Sequence, residues 1–390
     1  MNGHCATRIL FGLVTTATLA AQQTLHVGPG QPFADIQAAI SASSPGDTIA
    51  VRTLGLNVSY PPFSVTHSLT IRTEPPAPDL QSRAQCELFT IALGAGDQVH
   101  LQDLVFVQRP DLQSSITGGL VDMERVTLTI AIGGPVYHYA LLLAATQSSV
   151  ILRGCTQGAG VSRYDRCALA AADCYLLSAG FYNAIPTPVL DLQRSTAYLS
   201  HCSVRCAFPY GGSAGIVLDN SRLDLVDCLI AGQASPSWNP VPSPSIFVDA
   251  ASLVRQHRCT FDSGTGSGTG IVGVVQPFVH LGATMPEAGL LLGGSMTAQF
   301  RAEPFDPVFV MASFAIAPPS PAPLVEPDQW GFAAQGFVVG VQSADAAGDA
   351  TYGITIPNQP ALRGVGIWLM GVSGSSVPLR MSVPLGGRLQ

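Results

Sequence analysis

Ten side chains in this chain have the types and spacing to do chemistry in two groups. His100, Asp103, Asp122 and Arg125 form the first; Tyr198, His201, Asp224, Asp227, Arg255 and Arg258 form the second. A histidine or tyrosine beside carboxylates can accept a proton, and an arginine can bind or neutralise a carboxylate on a ligand. Aromatic faces with Asp and Arg hydrogen bonds also suit a sugar, so a groove for a long polysaccharide is one reading of the two groups. The other reading is structural. Asp224 with Arg255, and Asp227 with Arg258, would be rungs of an ordinary charge ladder between adjacent strands, worth about 0.2–1 kcal/mol each.

What positions these residues is a repeat. Seven times between Val99 and Phe261 the chain runs apolar, any residue, apolar, two free positions, then an apolar residue or cysteine, as in Val150-Ile-Leu152-Arg-Gly-Cys155 and Leu223-Asp-Leu225-Val-Asp-Cys228. The last core position of each copy is Leu104, Val126, Cys155, Cys174, Cys202, Cys228 and Cys259, at steps of 22, 29, 19, 28, 26 and 31 residues. The positions three and five before it, and two after, are apolar except Gln157 and Gln256. Alternation at period two gives a strand with one buried face, and two free residues break it at a corner. Such short strands bury their faces only when stacked coil on coil, which is a parallel β-helix. In this register the residue four before the reference points outward and the residue one before it sits at the corner. Each charged group then falls on neighbouring coils.

Ahead of the repeat, Pro32 to Ser44 places Phe33, Ile36, Ala39 and Ile40 on one helical face, with Pro45-Gly46-Asp47 as a stop, and a capping helix over the first coil is expected. The run Pro32-Phe33, Ile36, Ala39-Ile40, Gly46-Asp47, Ile49 and Val51 resembles the opening of secreted right-handed β-helix proteins of the pectate-lyase-like superfamily. That resemblance spans residues 24–262 and implies the fold. It leaves activity open, because the superfamily includes lyases, hydrolases, epimerases, adhesins and non-enzymes. The clustered Asp-Asp and Gly-His-Gly motifs of pectin hydrolases, and the Asp-His pair of pectate lyases, are not matched.

The expected organisation is a signal peptide over 1–20, a parallel β-helix over 24–262, a Gly/Ser/Thr linker over 263–274 and an antiparallel β-sandwich module over 275–390. Arg8, the apolar Ile9 to Leu19 and the small residues Thr18-Leu19-Ala20 carry the export expectation. The apolar run is too short for a permanent membrane anchor. In the last region, Phe305 to Phe314, Gly336 to Val341 and Val365 to Met370 read as strands between Pro- and Gly-rich turns.

Composition narrows the function classes. Charged residues make up 11%, against a usual share of about 25%, and the 18 basic residues are all arginine. Lysine Schiff-base and lysine general-base mechanisms are therefore excluded. A net charge of −7 without a basic cluster argues against nucleic acid. Metal-ligand spacings are missing, and Asn57-Val58-Ser59 matches a glycosylation sequon only on paper. His4, His26, His67, His138 and His280 stand isolated.

The cysteines Cys155, Cys174, Cys202, Cys228 and Cys259 should stack inside the solenoid as small apolar residues. Cys202 with Cys206, or Cys167 with Cys174, are the pairs expected to bridge locally. The functional expectation is a secreted or cell-envelope monomer that binds or scaffolds without catalysis, with a polysaccharide or envelope component as partner. The runner-up is a polysaccharide lyase or other carbohydrate-active enzyme on an acidic polysaccharide. No cofactor is expected, with calcium reserved for the lyase case.

Overall fold

A computed structural model describes residues 22–389 except 56–57, 77–78, 110, 131–140, 159, 179–187, 207–213, 233–243, 263–270, 278–281, 285–290, 315, 318–330, 333–335, 363–364, 375–378 and 383–384. The export segment, the Asn57 sequon, His4, His138 and His280 lie outside the described residues.

Among the described residues the chain forms a parallel β-helix of three sheets, with eleven strands in the first and nine in each of the others. One coil shows the path. Gln98–Gln102 belongs to the first, long sheet, Leu104–Gln108 to the second and Ser114–Thr117 to the third, and Leu120–Glu124 returns to the long sheet. The register is the one the repeat predicts: Val99, Val121, Val150, Leu169, Ala197, Leu223 and Val254 are successive partners. The columns through Leu101 and Leu104 lie inside with them, nearly all fully buried. The pattern also runs further than the seven copies, upstream through Ile71, Ile49 and Leu25 and downstream to Val275.

The two polar exceptions have local causes. Gln157 turns its amide to Gly160 O at 2.7 Å and accepts from the Ser162 hydroxyl at 2.7 Å, satisfying a buried loop. The Gln256 Oε1 accepts from the Cys259 amide at 3.2 Å.

The corners are left-handed. Asp103, Arg125, Gly154, Asp173, His201, Asp227 and Arg258 have φ between 51° and 57°. A second such column, Gln147, Arg166, Arg194 and Asn220, precedes the long sheet at φ 47–52°. Each non-glycine costs about 1–2 kcal/mol there. The return is an unbroken ladder, for the amides of Asp103, Arg125, Asp173 and His201 still donate to the next coil. Where the earlier coil comes closest only glycine fits: a Cβ on Gly118 would stand 2.3 Å from Leu93 O. Beside the second column a file of side chains does the same work, with Ser195 Oγ accepting from Cys167 N, Ser221 Oγ from Ser195 N and Ser252 Oγ from Ser221 N at 2.8–3.0 Å.

At the N-terminal end the helix Ile36–Ala42 forms where the apolar spacing placed it, begun by the Asp35 carboxylate accepting from Ala38 N at 2.7 Å. Ile36, Ala39 and Ile40 are buried in the solenoid core. At the other end the solenoid passes the expected boundary. Ile271–Val272 pairs with the third sheet and Val275–Pro277 with the long sheet, so the expected linker holds coil strands after its Gly/Ser/Thr run. Composition marked that run (263–270 lies outside the described residues), but the β-branched pairs beyond it still had strand partners to find.

Beyond the coil lie small antiparallel sheets. Ser295–Arg301 pairs with Asp349–Thr355, while Pro307–Ser313 lies between Phe337–Ser343 and Gly366–Ser373. Met296, Ala298 and Phe300 share one core with Val308, Val310, Ala312 and Leu369. That core is continuous with Tyr198 and Val226 on the outer surface of the long sheet. Trp368 packs on Leu120, Ile151, Ala168 and Ala170 of the same surface. The C-terminal sheets therefore cover the outer face of the long sheet.

Candidate functional site

Alternation along the long sheet sends two columns outward. One, four residues before the reference, is His100, Asp122, Ile151, Ala170, Tyr198, Asp224 and Arg255; the other, two before it, includes Gln102, Glu124, Arg153 and Val226. The sequence reading took the first and combined it with the corner column, so it missed Gln102, Glu124 and Arg153. The signal was present, because a strand with one buried face must turn every second residue outward.

Outward here does not mean exposed. His100, Asp122, Tyr198, Asp224 and Arg255 are all 3–9% accessible, for the C-terminal sheets and neighbouring side chains close over them. An open groove on this column is therefore corrected: its polar groups face a covered seam. The seam is satisfied from within. Arg255 meets Asp224 in a two-pronged pair at 2.7 and 2.7 Å, and Arg222 reaches the same carboxylate at 3.4 Å. Burial raises the Tyr198 hydroxyl well above its ordinary range.

At the N-terminal half, Asp122 accepts from Arg153 at 2.7 and 3.3 Å and lies 3.1 Å from the His100 Nδ1. The His100 Nε2 is 3.9 Å from Glu124, which also lies 3.4 Å from Arg153. Arg153 then crosses to the C-terminal sheets, donating to Gly386 O and lying over the Trp368 ring at 5.3 Å. Burial alone would raise the Asp122 carboxyl, but Arg153 and His100 beside it hold it well below the usual carboxylate range. A carboxylate held so firmly ionised is a weak base, which argues for a clamp rather than proton transfer.

The corner residues divide. Asp103 is 2% accessible and takes both prongs of Arg125 at 2.8 Å, with Arg83 3.9 Å away. The hydrogen bond to Asp103 raises the Arg125 guanidinium above its ordinary value. His201, Asp227 and Arg258 instead form a solvent-facing file, with His201 Nε2 3.6 Å from Asp227 and Arg258 forked onto the same carboxylate. Both rungs of the charge ladder anticipated from sequence are thus formed, Asp224 with Arg255 and Asp227 with Arg258.

Next to this corner the second sheet turns outward Thr156, Tyr175, Ser203 and, two residues on, Arg205. Tyr175 is 44% accessible, and Arg205 is exposed with its Nε donating to Ser203 Oγ at 3.1 Å. Sequence reading passed over both, since Tyr175 differs in type from its column neighbours. Tyr175, Arg205, His201, Asp227 and Arg258 make one open polar face, an aromatic ring among hydroxyls and charges, while Arg163, Arg166 and Arg194 with Asp165 and Asp191 form an exposed set of ion pairs on the third sheet. Among the described residues no three His, Cys, Asp or Glu side chains converge as they would on a metal ion. No helix among them is long and apolar enough to cross a membrane.

Among solved structures the chain is similar to a pectin methylesterase from Aspergillus niger, solved in two deglycosylated forms. Identity is 13% and 12%, with a TM-score of 0.27 and coverage of 64% of this chain and 90% of that one for each. It is also similar to the enzymatically active domain of tailspike protein 4 from bacteriophage CBA120, at 10% identity and a TM-score of 0.23, over 90% of this chain and 65% of that one. No protein-family model matches the chain, and no curated protein sequence matches it either.

Proposed function

We propose that this chain is a secreted or cell-envelope protein that binds and scaffolds without catalysis, with a glycan as its ligand. One observation carries the reading. The carboxylates Asp122 and Asp224 on the long sheet are paired with arginine, and they, His100 and Tyr198 are buried, whereas the corner face with Tyr175 is left open for contact. On that open face Tyr175 supplies a ring for sugar stacking, and Arg205, His201, Asp227 and Arg258 supply hydrogen bonds in fixed positions. The solenoid supplies rigidity and length, and the chain acts as a monomer.

A second reading, a carbohydrate-active enzyme on an acidic polysaccharide, draws on the cluster of His100, Asp122, Glu124 and Arg153, where a histidine stands between two carboxylates. Calcium belongs to that reading alone. The test is to incubate the purified chain with neutral and acidic polysaccharides, with and without calcium, and to measure binding, chain length and unsaturated ends. Saturable binding without product, weakened about fivefold by Tyr175→Ala, is expected, matching the roughly 1 kcal/mol of one aromatic contact. Shortened chains or unsaturated ends abolished by His100→Ala would replace this reading with the second.

A further inference from the structure

The inward cysteines are more regular than packing requires. Cys155, Cys174, Cys202 and Cys228 occupy one column on four consecutive coils, since the amides of Tyr175, Ser203 and Leu229 donate in turn to the carbonyls of Cys155, Cys174 and Cys202. All four are buried thiols. The same column holds Leu104 and Val126, both buried, so an ordinary aliphatic side chain fits this corner. Geometry therefore does not select cysteine on four coils in succession.

The sulfurs also repeat one placement. Cys155 Sγ donates to Arg153 O, Cys174 to Ala172 O, Cys202 to Ser200 O and Cys228 to Val226 O, all at 3.2–3.5 Å. The same placement on stacked coils spaces the sulfurs at the coil repeat, about 4.8 Å. Each thiol feels the next along the file, Cys155 that of Cys174, Cys174 that of Cys202 and Cys202 that of Cys228. Burial pushes these three up and keeps them protonated.

That spacing decides what the file can hold. A disulfide needs sulfurs about 2 Å apart, and hydrogen bonds to the coils on both sides hold the repeat open. The local pairs expected from sequence are not bridged either. Cys202 and Cys206 stand at opposite ends of a strand, about 13 Å apart at strand rise, and Cys167 and Cys174 flank the strand Ala168–Ala172. Zinc needs four converging ligands, and among the described residues not even three converge. Two metal–sulfur bonds of about 2.3 Å set in line span about 4.6 Å, close to one coil repeat. Soft thiolate sites select copper(I), and an ion held by two sulfurs in line asks for no third ligand.

We propose that this file is a binding site for soft monovalent ions, copper(I) or silver(I), each bridging the thiols of two neighbouring coils. One S–H bond breaks and its proton leaves to solvent. A metal–thiolate bond takes its place, and the second sulfur completes the pair as a thiol. The charge of the ion replaces that of the proton, so the interior stays neutral and no electron is transferred. The file lies inside the coils, and the site does not depend on glycan binding at the corner face.

The experiment loads the full chain with silver(I), or with copper(I) under a reductant without oxygen, both on the folded chain and during refolding. Bound metal, X-ray absorption and the thermal midpoint are measured, with zinc(II) as the comparison. About two ions per chain, each with two sulfur neighbours at about 2.3 Å, should raise the midpoint, and zinc(II) should leave it unchanged. Two double variants then remove equal numbers of thiols. Cys174→Val with Cys228→Val leaves no thiols of this column on neighbouring coils and should abolish the two-sulfur site. Cys155→Val with Cys259→Val leaves three in succession and should keep it. Equal losses in the two variants, metal held by oxygen, nitrogen or one sulfur, or failure of both ions to load would overturn the proposal. Should the first variant fail to fold, the sulfur count around the ion in the unmodified chain decides alone.

Discussion

The outward column of the long sheet and its corner column carry the same chemistry and meet opposite fates. Each places an aspartate on one coil and an arginine on the next, Asp224 with Arg255 and Asp227 with Arg258, joined by similar forked contacts. The first pair lies under the C-terminal sheets with its side chains about a tenth accessible; the second faces water, with Arg258 40% accessible. A charge pair in water is screened and contributes little, while one under a protein layer must be complete because a lone buried charge is costly. Identical residue spacing thus encodes a clamp in one place and a contact surface in the other. What separates them is a module distant in sequence.

The comparison can be broken most severely from the inward side. Leu225 is fully buried between Asp224 and Val226, so Leu225→Asp should abolish cooperative folding, seen as loss of a thermal transition. A stable Leu225→Asp would mean that the two columns are misassigned. Next in size, Asp224→Ala removes both prongs of the covered Arg255 pair and should cost about 3–5 kcal/mol by denaturant titration. Arg258→Ala, on the water-facing pair, should cost under about 1 kcal/mol. Equal losses would erase the distinction drawn here.

Acid should sharpen the same contrast. The folded Asp122 carboxyl lies below its unfolded value, so its contribution is present above the unfolded pKa of about 3.9 and is lost as pH falls below it. Asp122→Asn should therefore lower stability at neutral pH and flatten the decline between about pH 4 and pH 2. An unchanged acid profile would count against the Arg153 clamp.

Much of the solenoid was legible because alternation and the corner are local. Val99, Leu101 and Leu104 announce one buried face and one turn, and each later copy restates them. The helix Ile36–Ala42 was legible for the same reason. The fate of the outward residues was not, since nothing near Tyr198 or Ile151 reveals that the chain around Val308 and Trp368 will return to cover them. Apolar residues in the outward column were the available hint. Ile151 and Ala170 interrupt a polar series at the coils where Trp368 lands. The corner residues carried a second hint, for Asp, Asn, His and Gly tolerate left-handed backbone, but Arg125, Arg166, Arg194 and Arg258 hid it.

The two left-handed columns also act as a ruler. They stand at 147 and 154, 166 and 173, 194 and 201, and 220 and 227, a fixed seven residues apart. Every long-sheet segment between them is therefore cut to one length, and no residue can be added there without shifting all the strands above. The coils differ instead between the second and third sheets, where the chain passes from Gln157 to Val161 in one coil and from Ala231 to Ile246 in another. In these coils insertions should accumulate along that edge, so a peptide tag or a protease site placed between Ala231 and Ile246 should leave the rod intact while the same insert after Asn220 should not.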